Sequence, residues 1–247
     1  MNLVLLEPGE LSGDGAVRLT DARAVHVRTV LRAVTGQAVR LGLVDGPFGV
    51  GTVTAVTADS VELRCVLERE PPPRPPVDVL LAVPRPKVLR RLWAQLAALG
   101  VGRIVLTNAG KVERNYFDTH LLEPAGFRPL LVEGLQQARD TRLPLVSVHR
   151  RFRALVEDEL DGLCPDTLRL VAHPEATSRI GAADRDDRRV LLAVGPEGGW
   201  NAFELRLLES RGFTAVGMGP RVLRSDTACV ALLALVHDAV RGRGIMR

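Results

Sequence analysis

Hydrophobic and polar positions follow one grammar before residue 71 and another after it. In the first stretch Val39, Leu41 and Leu43 alternate with Ala38, Arg40 and Gly42, the period-two spacing of a half-buried strand. Val50, Thr52, Thr54 and Val56 form a second such run, and Val61, Leu63 and Cys65 a third, with an Asp45-Gly46 turn ahead of both. A helix is expected from Thr20, whose hydroxyl suits an N-cap, to about Ala33, with Val25, Val30 and Leu31 among its apolar positions. Residues 1–70 therefore predict a small, mainly β module with one helix.

The run Pro71-Pro72-Pro73-Arg74-Pro75-Pro76 places five prolines in six residues, which neither a helix nor a central strand accommodates. It predicts a stiff linker over 71–76 and a domain boundary there. From Val77 to Val83 the chain is almost continuously apolar, as in a buried parallel strand. Pro86 opens a helix that Gly100 stops beyond Leu99. Further strands are expected at Arg103–Leu106, Leu145–Val148, Leu168–Ala172, Val190–Val194 and Thr214–Met218. Helices are expected at about Pro124–Arg139, Arg151–Leu160, Asn201–Arg211 and Ser225–Val240. Strands alternating with helices predict an α/β domain over 77–247, with a mostly parallel sheet.

Composition narrows the function classes. The chain has 247 residues, 46% hydrophobic and 25% charged, enough for a substantial core. No apolar run reaches the roughly 20 residues a membrane span needs. The opening residues Met1–Pro8 lack the basic start of a secretory signal, and a cytoplasmic location is expected. Cys65, Cys164 and Cys229 are far apart and form no CxxC pair, which predicts neither a disulfide framework nor a zinc site. The five histidines include no i, i+4 pair, so no metal is expected. The formal charge of +4 is concentrated: residues 71–153 carry 14 Lys and Arg against 6 Asp and Glu, whereas each flank is net −2. One basic stretch on a balanced chain suits a nucleic-acid partner.

Two segments concentrate candidate chemistry. In Leu191-Leu192-Ala193-Val194-Gly195-Pro196-Glu197-Gly198-Gly199-Trp200-Asn201 a buried strand enters a loop with three glycines, and Asn201 can cap the next helix. In Val216-Gly217-Met218-Gly219-Pro220-Arg221-Val222-Leu223-Arg224-Ser225-Asp226-Thr227-Ala228 a second strand ends the same way, with Ser225 or Asp226 as a cap. Ligands of open α/β sheets bind beyond the carboxyl ends of strands, and glycines there allow close approach to the main chain. The pair predicts a ligand cleft. A phosphate-binding P-loop, a GxGxxG dinucleotide fingerprint, GxSxG and HExxH are all absent. Elsewhere His26 and Arg32, and Arg139 and Arg142 beside Gln136-Gln137, are candidates for RNA contact, against the plainer reading of solvated helix residues.

In these residues the chain resembles the bacterial 16S ribosomal RNA (uracil-N(3))-methyltransferase family, the RsmE-like branch of the SPOUT superfamily. The resemblance rests on His-x-x-x-Val-Leu-Arg at His26–Arg32, Gly-Pro-Glu-Gly-Gly at Gly195–Gly199, and the glycine-arginine pattern from Met218 to Ala228. It implies a small PUA-like N-terminal RNA-binding domain, a C-terminal α/β domain tied in a trefoil knot, and a homodimer. It also implies S-adenosyl-L-methionine (SAM) as cofactor, held by Val171, Ala172, Val194, Gly195, Pro196, Glu197, Gly198, Gly199, Met218, Gly219, Arg221, Val222, Leu223, Thr227 and Ala228. The chain departs from the family pattern at Gln95–Gly100, where Ala98 replaces a glutamate, and at Gln136–Asp140, where Gln136 and Asp140 replace charged residues.

The implied reaction is methyl transfer to a uracil ring nitrogen in 16S rRNA or the small ribosomal subunit. Arg224 is the candidate for orienting the base or stabilising its anion, and Asp226 for holding Arg224 or its loop. No side chain is assigned as the proton acceptor. His26, Arg32, Arg85, Lys87, Arg90, Arg139 and Arg142 are the candidate RNA contacts. The alternatives are a SPOUT methyltransferase on another RNA target and a non-catalytic RNA-binding protein of ribosome assembly.

Overall fold

The computed structural model describes residues 3–180, 188–219 and 221–241. Met1 and Asn2 of the chain start, and Pro220 of the second glycine segment, lie outside the described residues. The chain forms two compact units. One comprises Met1–Arg74 with Leu131–Leu143, the other Pro75–Leu130 with Pro144–Arg247.

The first unit is built on a five-stranded sheet in the order β1-β3-β4-β5-β2. Its strands are β1 (Val4–Leu6), β2 (Ala16–Leu19), β3 (Ala38–Leu43), β4 (Phe48–Val56) and β5 (Val61–Leu67). β1 pairs parallel with β3 and every other pairing is antiparallel. Leu41, Leu63, Val53 and Leu19 point into one core with Val27 of the helix α1 (Ala22–Thr29). The alternation read in β3 and β5 therefore marks which face is buried. β1 and β2 went unpredicted, because runs of three and four residues show no period and owe their pairing to partners far along the chain.

Helix α1 is shorter than expected. Asp21, not Thr20, is its N-cap, accepting from the Arg23 amide at 2.9 Å. It closes at Thr29: the Val30 and Leu31 amides both donate to the His26 carbonyl, and Arg32 takes a left-handed φ of 50°. The Asp45-Gly46 turn is also a docking point for the distant segment Leu131–Leu143. Asp45 N–H donates to the Thr141 carbonyl at 2.8 Å, and Thr141 Oγ1 donates to the Gly46 carbonyl at 2.6 Å. A Cβ at Gly42 would lie 2.5 Å from the Thr141 methyl group, so glycine is needed beneath it.

The second unit is α/β, with a six-stranded, wholly parallel sheet in the order β11-β9-β10-β6-β7-β8. The strands are β6 (Val77–Ala82), β7 (Val101–Thr107), β8 (Leu145–His149), β9 (Thr167–Ala172), β10 (Arg189–Val194) and β11 (Thr214–Val216). The central strands β6 and β10 are apolar almost throughout, as suits strands buried along nearly their whole length. Asp78 is the exception: its carboxylate, almost wholly buried, takes the Arg189 guanidinium at 2.6 Å.

The α-helices among the described residues of this unit include α2 (Pro86–Ala98), α4 (Phe152–Ala154), α5 (Leu160–Leu163), α6 (Ala202–Ser210) and α7 (Ser225–Arg241). The helix α3 (Pro124–Ala138) begins here and ends in the first unit. α2 buries Leu89, Leu92, Trp93 and Leu96, and the Trp93 indole donates to the Leu121 carbonyl at 3.1 Å. The helix expected over Arg151–Leu160 is interrupted: a π-helical turn at Leu155–Glu159 separates α4 from α5. α7 follows the edge strand β11 yet packs on β10, β6 and α2 in the middle of the sheet. Among the described residues no helix is long and apolar enough to cross a membrane.

Candidate active site

Both glycine-rich segments leave the carboxyl ends of strands in the second unit, β10 and β11, and they line one cavity of about 310 Å³. That volume falls at the lower end of the roughly 300–1,000 Å³ usual for small-molecule sites. The first wall is shaped by the capping of α6. Asn201 accepts from the Glu204 amide at 2.9 Å, and the Glu204 carboxylate accepts from the Asn201 amide at 2.8 Å. Glu204, almost fully buried, also accepts from the Gly110 amide, which ties the loop after β7 to this wall. Gly199 has φ 70°, where a side chain is strained.

Two main-chain clamps fix the Gly195–Gly199 loop. Lys111 Nζ donates to the Gly198 carbonyl at 2.7 Å, and the Arg85 amide donates to Glu197 Oε1 at 3.1 Å. Arg85 Nε in turn donates to the Tyr116 hydroxyl at 3.0 Å, and the hydroxyl donates to Glu113 Oε1 at 2.9 Å. That hydroxyl raises the Arg85 guanidinium further above its usual range. Glu197, read as part of the cofactor set, is thus anchored to main chain.

The second wall comes from residues 216–223. A Cβ on Gly217 would stand 2.9 Å from the Ala176 carbonyl oxygen and 3.2 Å from that of His173, so only glycine fits. The strand β11 ends at Val216, two residues before the expected end at Met218, and beyond it Gly217 bridges in parallel to Arg179, its amide donating to the Ser178 carbonyl at 2.9 Å. Met218, Val222 and Leu223 are exposed apolar side chains, Val222 at 80%. The Trp200 indole Nε1 lies buried without a hydrogen-bond partner among the described residues.

Of the residues expected around the cofactor, Ala172, Val194 through Gly199, Met218, Gly219, Arg221, Val222, Leu223 and Ala228 line the cavity. Val171 is instead wholly buried in β9, and Thr227 faces solvent on α7. Sequence reasoning missed Lys111, His173, Pro174, Trp200, Val216, Gly217, Ser225 and Leu232 as lining residues. Trp200 and Gly217 stood inside the quoted segments, whereas Lys111 comes from a loop whose pattern carries no signal.

Arg224 is exposed just before α7 and takes part in no ion pair found among the described residues. Asp226 does not hold it. Its carboxylate takes Arg91 of α2 at 2.8 Å and accepts from the Thr227 amide at 2.9 Å. The Arg91 hydrogen bond holds the Asp226 carboxyl below its usual range. Lys87, Arg90 and Arg91 form one exposed cationic face of α2 by i, i+3, i+4 spacing.

In the first unit His26 and Arg139, far apart in sequence, line a second cavity of about 430 Å³. Arg142 donates to the Asp45 carbonyl at 3.2 Å, and Arg32 is exposed. Among the described residues no group of three or more His, Cys, Asp or Glu is placed to hold a metal ion.

The fold and the cavity at the ends of β10 and β11 define an α/β protein with a glycine-lined pocket at the carboxyl edge of a parallel sheet. Residues 70–237 match the family described as the RNA methyltransferase domain, and the chain belongs to that family. It is 31% identical to the ribosomal RNA small subunit methyltransferase E of Treponema pallidum, over 96% of this chain and 90% of that protein. It is 30% identical to the enzyme of the same name from Mycobacterium bovis, over 92% of this chain and 88% of that one. The structure of a ribosomal RNA small subunit methyltransferase E from Neisseria gonorrhoeae bound to S-adenosyl methionine superposes with a TM-score of 0.76. It is 21% identical and covers 96% of this chain and 97% of that chain.

Proposed function

We propose that the protein is a SAM-dependent methyltransferase acting on N(3) of a uridine in 16S ribosomal RNA of the small subunit. The observation that carries this reading is the cavity at the ends of β10 and β11, walled by two glycine loops whose close packing tolerates no side chain at Gly217. The relatives' names support the rRNA substrate, and the resemblance at Gly195–Gly199 and Met218–Ala228 supports the uracil nitrogen. The cavity fits SAM on its own features. It offers main-chain amides and carbonyls for polar groups, apolar Leu232 and Leu223 for a flat ring, and an unpartnered indole N–H at Trp200.

In this reading Val194 through Gly199, and Met218 through Leu223 apart from Pro220, hold the cofactor. When bound, SAM supplies an already activated methyl group, so the chain's part is alignment and electrostatics. Arg224, exposed at the mouth of the second loop, sets its guanidinium against the negative charge that develops on the uracil ring as N(3) loses its proton. Asp226 acts at one remove, fixing the start of α7 through Arg91. The target base leaves its stack to reach the cavity.

Three finer features belong to the same proposal. The first unit serves as a PUA-like RNA-binding domain. The return of α7 from the edge strand β11 to mid-sheet supports a trefoil-knotted C-terminal domain, a threading rare among proteins. The exposed Val222, Leu223, Met218 and Leu235 support a homodimer that covers them. The protein works in the cytoplasm, where the small subunit is assembled.

Mass mapping of 16S rRNA from cells lacking the gene is the test. Loss of one methyl group from a single uridine is expected, and return of that methyl when purified protein and SAM are added. An unchanged rRNA methylation profile overturns the substrate.

A further inference from the structure

The first unit carries a cavity that the methyl-transfer chemistry does not use. Its floor is apolar: Leu3 and Val4 are almost fully buried beneath it. Its sides bring together the helix α1, the strand β3 and the chain just after α3, which contribute His26, Arg40 and Arg139. Leu31, 40% exposed, stands at the rim. At about 430 Å³ the space is roomier than a side-chain packing defect and lies within the range of small-ligand sites.

The chemistry of the lining selects among ligands. A bare phosphate would be served by the two guanidinium groups but would gain nothing from a leucine and valine floor. A purely apolar ligand would leave His26 unused, and its Nε2 has no hydrogen-bond partner among the described residues although it is cut off from water. A polar ligand group that reaches the ring would supply that partner. An apolar floor, one imidazole to meet a polar ring edge, and two arginines for a backbone match one chemical class, a nucleotide with its base unstacked. Arg139 is held there by a left-handed backbone, φ 59°, a conformation costly for a residue with a side chain.

We propose that this cavity takes one unstacked base of the RNA substrate, a different nucleotide from the one methylated, with His26 on the base edge and Arg40 and Arg139 on the flanking phosphates. The proposal rests on the RNA methyltransferase reading for its choice of RNA. It adds a second base-reading site, so that target choice depends on a nucleotide the chemistry never touches.

Ultraviolet crosslinking of the full-length protein to an unmodified 16S rRNA transcript, with mass spectrometry of the adducts, tests it. The expected adduct joins the tryptic peptide Ala24–Arg28, which contains His26, to a single nucleotide other than the methylated one. His26→Ala should raise KM for RNA about tenfold with kcat within twofold and SAM affinity unchanged. His26→Gln, which keeps a hydrogen-bonding group, should recover part of that loss. Arg139→Gln, at an exposed position, should raise KM similarly and stands in if His26→Ala does not fold.

Adducts confined to other peptides, with KM unchanged in the folded variants, overturn the cavity proposal and leave the enzyme reading standing. Wild-type protein that crosslinks at Ala24–Arg28 but neither binds SAM by calorimetry nor methylates RNA overturns the enzyme reading and leaves the cavity.

Discussion

Gly217 shows how little room is left at the base of the cavity between the two glycine loops. Adding one carbon would press on the carbonyl oxygens of Ala176 and His173, both main chain and unable to swing aside. Gly217→Ala should therefore lower the melting free energy by about 1–3 kcal/mol and weaken SAM binding at least tenfold, read by calorimetry on the folded fraction. A variant that binds SAM as the wild type does would show that the second wall is not rigid. Arg224 makes the opposite prediction, because its side chain is exposed. Arg224→Ala should leave SAM affinity and melting temperature unchanged while lowering kcat on rRNA about 100-fold, the scale of one lost charge-stabilising donor. Both residues were visible in the sequence as parts of one motif. Their separate roles were not, since Gly217 acts through atoms some forty residues earlier in the chain.

At the scale of elements, one ion pair bridges α2 and α7. The Arg91 guanidinium lowers the carboxyl of Asp226, so the folded state binds a proton less readily than the unfolded chain does. Stabilisation from the pair is then fully present above the ordinary carboxyl value of 3.8 and is lost as pH falls below it, through the lowered folded value. The melting-temperature gap between wild type and Arg91→Gln should be constant from about pH 7 to pH 5 and should close on further acidification. A gap that widens in acid would mean that Asp226 is protonated in the fold. Helix and strand identities were legible in these elements because their periods are long and regular: β6, α2 and β10 fall within two residues of their expected ends. β1 and β2 depend on pairing partners far along the chain, which no count of apolar positions registers, and the π-helical turn at Leu155–Glu159 leaves no mark in apolar spacing either.

Across the whole molecule the three cysteines are all buried, and burial raises each thiol. Cys229 is pushed up to about 12 and Cys164 to about 11, with Cys65 also raised. At neutral pH the native protein should give almost no reaction with a thiol reagent, and all three should react after denaturation, counted by absorbance. Rapid labelling of the native state would contradict that burial. Exposed Val222, Leu223 and Leu235 lead to a further expectation, light scattering at twice the 26.8 kDa chain mass. A monomer at micromolar concentration would remove the dimer from the proposal.

The alternation in β3, the apolar run of β6, the proline run at 71–76 and the two glycine segments are properties of neighbouring residues, so the sequence alone could specify the class of each element and the presence of a cleft. Strand order, the docking of Leu131–Leu143 onto the Asp45-Gly46 turn, and the convergence of His26 with Arg139 are long-range pairings. They follow from which buried surfaces match across the folded chain, and local spacing carries no record of that match. The same holds for Asp226, which sequence placed beside Arg224 and folding gave to Arg91.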